Sequence, residues 1–198
     1  GKEPVDSQPV QLQVLGVQVG AVQPLQAGEQ RVMSGIRKQA TRGPVAVGAL
    51  GLAGDEQADL TVHGGLTKAV YAYPIEHYAF WREHRRALGL TTDLPCGSLG
   101  ENLTLSGVLE GSLYVGDQLR FPDCVLRVTQ PRGPCYKLNA AMDDPTAART
   151  LARSGFSGFY LAVDVPGSLS AGQAFEIVAG PRETPLMGLF KATRAKYR

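Results

Sequence analysis

Apolar and polar residues alternate in short runs along most of this chain. The stretches "VQLQVLGVQVG" (10–20), "AVYAY" (69–73), "ENLTL" (101–105), "CVLRVTQ" (124–130), "FYLAVDV" (159–165) and "QAFEIV" (173–178) repeat with period two and predict strands. Glycine or proline separates most of them, and 24 glycines with 13 prolines fit a turn-rich β architecture. Two segments break the alternation. "PIEHYAFWREHRRALG" (74–89) begins with proline, spaces Ile75, Tyr78, Phe80 and Trp81 as a helix would, and stops at Gly89. "DDPTAARTLARSG" (143–155) has an acidic start, Pro145 in its first turn, a basic end and Gly155 as its stop. The pattern therefore predicts a mainly β fold, a barrel or curled sheet with a few covering helices, and no internal repeat.

With 198 residues, 43% of them hydrophobic, the chain is long enough to bury the core of one domain. Its longest apolar runs are strand-length, so no membrane span or membrane partner is expected. A net charge of +2 is too mild to point to nucleic acid, although it accommodates a small anionic ligand. Cys96, Cys124 and Cys135 form no CxxC or zinc-ligand spacing, and an odd count argues against a disulfide framework. A reducing cytoplasm fits that usage. No GxGxxG follows a strand and no cysteine cluster occurs, so neither flavin, NAD nor an iron–sulfur centre is expected in this chain.

Candidate chemistry concentrates in three places. In "QPRGPCYKL" (130–138), Pro131 and Pro134 restrict the backbone while Arg132 and Lys137 bring positive charge toward the thiol of Cys135, an arrangement that prepares a thiolate. A polar turn after a strand explains the same nine residues equally well. In "GDEQADLTVHGGLTKAVYAY" (54–73), the backbone N–H groups of Gly64 and Gly65 can curl around an anion beside the His63 imidazole. Lys68 follows, and Asp55, Glu56 and Asp59 lie just upstream. A hairpin turn with a solvated acidic face is the plainer explanation. Glu101 and Asn102, in "SLGENLTLSGV" (98–108), offer hydrogen-bonding groups at the start of a strand, or simple turn chemistry.

Taken in order, "GLAGDEQADLTVHGG", "AVYAYPIEHYAFW", "GSLGENLTLSGVLEGSLYVGD" and "QPRGPCYKL" resemble the MOSC domain family, in its YiiM-like branch, from about residue 12 to about 180. The resemblance implies a β-barrel domain over residues 1–183 and binding of a pyranopterin molybdenum cofactor. It also implies one functional cysteine, which falls on Cys135 as the molybdenum ligand, and reduction of N-hydroxylated compounds such as hydroxylaminopurine-type bases. A soft thiolate suits a metal already held by dithiolene sulfurs. Arg132, Lys137 and Lys38 are then candidates for the cofactor phosphate. His63, Gly64 and Gly65 would contact pterin or phosphate, with His63 as a proton source. Asp55, Glu101 and Asn102 would bond pterin nitrogens or line the substrate mouth. Electrons would come from a separate donor protein. No pyridoxal phosphate is expected, because no desulfurase domain is recognisable. Two other readings stay open: a sulfur carrier using a Cys135 persulfide, and a non-catalytic carrier of the cofactor. Cys124 reads as a core residue, and Cys96 as a loop residue with little claim on the site. YiiM-type proteins carry a longer helical tail, whereas residues 184–198 here leave room for one short helix or a frayed end, with Met187, Leu189 and Phe190 free to pack on the barrel.

Overall fold

A computed structural model describes residues 11–58 and 64–194, with side chains through 191. In chain order the strands are β1 (Gln13–Val19), β2 (Gln23–Ala27), β3 (Gln30–Ser34), β4 (Gln39–Ala40), β5 (Val45–Gly48), β6 (Gly51–Leu52) and β7 (Val70–Pro74), followed by helix α1 (Tyr78–Ala87). Next come β8 (Leu103–Ser106), β9 (Gln118–Phe121), β10 (Asp123–Pro131), α2 (Tyr136–Ala141), α3 (Ala147–Ser154), β11 (Phe159–Leu169), β12 (Glu176–Val178) and α4 (Leu186–Arg194). Each run of alternating residues in the sequence contains a strand, and both helical segments contain a helix. The fold is mainly β with a few helices, as the alternation predicts.

One large sheet runs in the order β12-β9-β10-β11-β7-β8-β1-β4, with β5 also on β11 and β6 on β5. All its ladders are antiparallel except β7 with β8. The sheet is curled but not closed into a barrel. Residues 173–175, within the run predicted as the last strand, turn toward β1 instead of extending β12. They make the Gln13–Ala174 bridge, Val14 N–H to Gln173 at 2.9 Å and Phe175 N–H to Leu12 at 3.1 Å. The strict alternation of β1 is also broken. A bulge between Val14 and Gly16 shifts its register against β8 and leaves Leu15 exposed.

Strand β7 shows how the sheet divides the interior. All five of its residues are buried. Alternation sends Val70 and Ala72 into one core, with Leu103, Leu126, Phe159 and Leu161, and sends Tyr71 and Tyr73 into a second, with Tyr78, Trp81, Leu151 and Tyr160. Helix α1 covers the second core because Tyr78, Trp81 and Arg85 share one face. Helix α3 ends where Gly155 adopts a φ of 75° and returns its N–H to Leu151. Helix α4 buries Leu186 in the first core and Phe190 in the second.

Strands β2 to β6, strand β9 and helix α2 have no counterpart in the sequence patterning, and two of these features bear on the site. The β2–β3 hairpin forms its own two-stranded sheet, turning at Gly28. Helix α2 begins directly after Cys135, where the prolines and glycine of "QPRGPC" suggest only a turn.

Candidate functional site

Register brings the site together. Tyr160 of β11 pairs with Gln130 near the end of β10 and, on its other side, with Tyr71 of β7. Tyr71 in turn gives its N–H to Asn102 Oδ1 at 3.0 Å. Four residues after the end of β10, Cys135 stands in extended conformation at the entry to α2. Tyr160, Tyr71, Asn102 and Cys135 thus line one side of a cleft. Ser34–Ile36, following the β2–β3 hairpin, and the strap 55–58 form the other side. The cleft encloses about 580 Å³ including its open mouth, a size suited to a small molecule or an organic cofactor.

Backbone packing fixes the strap. A Cβ on Gly35 would lie 2.2 Å from the Glu56 carbonyl oxygen, so only glycine allows that approach. Gly20 donates its N–H to Asp55 Oδ1 at 3.0 Å, and its carbonyl accepts the Glu56 N–H at 2.9 Å.

The cleft is rich in cations, each held differently. Lys38 is nearly buried and bridges Asp55 at 2.7 Å. Arg132 is buried, donates to the Leu99 carbonyl at 2.5 Å and stacks over the Tyr71 ring at 4.8 Å. It lies close enough to Cys135 and Tyr160 for their charges to interact. Lys137 reaches the Met33 carbonyl at 3.3 Å, which ties α2 to the hairpin. Lys68 stands 5.3 Å over the Tyr160 ring, and burial lowers its pKa. Burial raises the pKa values of Tyr71 and Tyr160, outweighing the opposite pull of Arg132, so both stay neutral phenols at physiological pH.

Of the residues singled out in the sequence, the structure gathers Lys38, Asp55, Asn102, Arg132, Cys135 and Lys137 around this cleft. Asn102 spends its amide inside the fold, accepting from Tyr71 and donating to the Gln18 carbonyl at 3.2 Å. Glu101 does not face the cleft. It is fully buried and accepts from Tyr78 at 2.5 Å, Leu99 N–H at 3.0 Å and Thr104 at 3.1 Å. Burial raises its pKa despite those donors. Gly64 and Gly65 do not line the cleft either, and the Gly65 N–H goes to Gln57 Oε1 at 3.3 Å. His63 and Asp59 lie outside the described residues.

Cys124 is buried in the core, where burial pushes its thiol up to about 11. Cys96 packs beside Gly16, away from the cleft. Sequence reasoning missed Tyr71, Tyr160 and Gln57. Tyrosines in apolar strands carried the available signal, because a buried phenol needs somewhere to put its hydroxyl.

Among the described residues no group of three or more His, Cys, Asp or Glu is arranged to hold a metal ion. A metal at Cys135 would therefore arrive with most of its ligands, as a metal in an organic cofactor does. A soft thiol on a cation-lined wall fits such a group.

Comparison with known proteins bears on this geometry. The family model described as the MOSC domain matches residues 59–176. Protein YflK of Bacillus subtilis is 36% identical over 166 residues, which span 84% of this chain and 73% of that protein. Protein YiiM of Escherichia coli is 38% identical over 156 residues, spanning 78% of this chain and 68% of that one. A Gibberella moniliformis protein named reductase is 34% identical over 151 residues, 76% of this chain but 26% of its own length. The crystal structure of YiiM from Geobacillus stearothermophilus superposes with a TM-score of 0.72 at 28% identity, covering 93% of this chain and 85% of that one.

Proposed function

Because the chain belongs to the MOSC domain family, in its YiiM-like branch, we propose that it binds a pterin molybdenum cofactor in the cleft through Cys135 and reduces N-hydroxylated small molecules, hydroxylaminopurine-type bases among them. The observation that carries this reading is the Cys135 thiol on the wall of a cationic cleft, within electrostatic reach of Arg132. When bound, the cofactor supplies two-electron chemistry at its metal.

The chain's own residues do the rest. Cys135 would hold the metal as a thiolate. Lys38, Lys68, Arg132 and Lys137 all line the cleft and give it the positive charge that a terminal phosphate would meet. The Tyr71 and Tyr160 rings, tilted against each other at 5.2 Å, wall the cleft with aromatic surface suited to a planar substrate. Electrons reach the cleft from a separate donor protein. The similarity to a protein named reductase supports this class of chemistry. Among the described residues no helix is long and apolar enough to cross a membrane. The cysteine usage supports placing the activity in a reducing cytoplasm.

The test is turnover. Protein from a cofactor-competent host, supplied with reduced methyl viologen, should convert 6-hydroxylaminopurine to adenine. Cys135→Ala should lose at least about 100-fold of that rate. Equal rates in the two proteins would contradict the assignment of Cys135.

A further inference from the structure

Four tyrosines are buried in the second core, and three of them give their hydroxyls to internal acceptors. Tyr71 donates to the Ser157 carbonyl at 2.6 Å, Tyr73 to the Phe156 carbonyl at 2.8 Å and Tyr78 to Glu101 at 2.5 Å. Tyr160 is the exception. It is 8% exposed and lines the cleft, yet its hydroxyl has no hydrogen-bond partner among the described residues. No side-chain polar atom among those residues is both sealed from solvent and unpartnered, so this hydroxyl looks onto the open space of the cleft. A hydroxyl that no protein group completes is left for water or a bound ligand to complete. It lines the same cleft as Cys135 and Arg132, where the chemistry belongs. Lys68 stands over the ring at 5.3 Å.

Resting on the reductase reading above, we propose that Tyr160 is a catalytic residue: its hydroxyl donates to the oxygen of a bound N–OH group and protonates that oxygen as the N–O bond breaks, while Lys68 is a positioning residue that holds the ring. The step balances. An N-hydroxylated substrate takes up two electrons and two protons and yields the parent amine and water. The bond that breaks is N–O, and the bonds that form are O–H and N–H. Tyr160 supplies the proton on the departing oxygen, water supplies the one on nitrogen, and the phenolate is reprotonated from solvent. The bound cofactor would supply both electrons, with reduced methyl viologen as its reductant in the assay.

Burial keeps Tyr160 protonated through neutral pH, so the donor is always loaded. Transfer remains downhill, because water, the conjugate acid of departing hydroxide, is a weaker acid than a phenol.

The experiment compares wild type, Tyr160→Phe, Lys68→Met and Lys68→Arg from a cofactor-competent host, with metal content and melting temperature checked for each. Two quantities are read: turnover of 6-hydroxylaminopurine, and, without reductant, binding of 6-hydroxylaminopurine relative to adenine. Tyr160→Phe should keep its metal, lose about 100-fold in kcat and lose about tenfold of the binding preference for the N-hydroxylated base. Lys68→Met, which removes the cation standing over the ring, should lower kcat about tenfold with KM little changed, and Lys68→Arg should restore most of it. A Tyr160→Phe protein within about twofold of wild type, with its binding preference intact, would overturn this inference alone. Metal-loaded wild type that does not turn over the base would overturn the reductase reading and this inference with it. If Tyr160→Phe does not fold, the wild-type binding measurement decides: no preference for 6-hydroxylaminopurine over adenine overturns the proposal, and a clear preference supports it.

Discussion

Lys38 meets Asp55 at 2.7 Å with 7% and 4% of their side chains exposed, and Asp55 also receives the Gly20 N–H. Each charge is tolerable there only because the other is present. Lys38→Met should therefore cost about 3 kcal/mol, read from the midpoint of urea unfolding, and a second change, Asp55→Leu, should restore most of it. Equal stability of Lys38→Met and wild type would mean the pair is not sealed. This residue pair also shows what the sequence conveys at its smallest scale. Charge near a cysteine was legible at Cys135, because Arg132 and Lys137 adjoin it in the chain. The partner that claims Lys38 was not, since Asp55 is distant in sequence and arrives through folding. Glu101 illustrates the converse: a carboxylate beside a strand reads as a cleft group, yet Tyr78, Thr104 and the Leu99 N–H absorb it inside the fold.

Helices α1 and α3 are joined by His84, which meets Asp144 at 2.9 Å just before α3 begins. Burial works against the Asp144 carboxylate, but hydrogen bonds from Thr146 and the contact with His84 outweigh it and hold its pKa below the ordinary 3.8. A depressed carboxylate pKa gives stability that is fully present above the unfolded value and is lost as pH falls through the folded one. The α1–α3 contact should thus weaken below about pH 4, and Asp144→Asn should flatten that part of the stability profile in acid titrations. An unchanged acid limb would show that other carboxylates control it. At this scale, periodicity located half of the strands together with α1 and α3, and it missed helix α2 and the β2–β3 hairpin for identifiable reasons. Helix α2 is six residues long and buries only Leu138, too little to leave a helical stripe. The β2–β3 hairpin is mostly exposed, so its residues need not alternate. Both carry walls of the cleft, which is why the site was less legible than the sheet.

Across the whole molecule, β7 is buried on both faces and α4 reaches both cores through Leu186 and Phe190. The segment therefore acts as part of the folded body. Phe190→Ala should cost about 3 kcal/mol in denaturant unfolding. Leu189→Ala, at a position 39% exposed, should cost no more than about 0.5 kcal/mol. Similar small losses in both would indicate that the end of the chain contributes little. The strands that build the sheet were readable because alternation is a local property. That, among the described residues, its two ends meet only through the Gln13–Ala174 bridge and the hydrogen bonds around it was not, because those contacts join residues far apart in the chain. The central claim is that this fold presents Cys135 to a molybdenum cofactor. Elemental mass spectrometry of wild type and Cys135→Ala, purified from a cofactor-competent host beside a control protein known to retain its molybdenum, tests it most directly. The account predicts near-stoichiometric molybdenum in wild type and its loss in Cys135→Ala. Metal absent from wild type while the control keeps its own, or retained in full by Cys135→Ala, would contradict it.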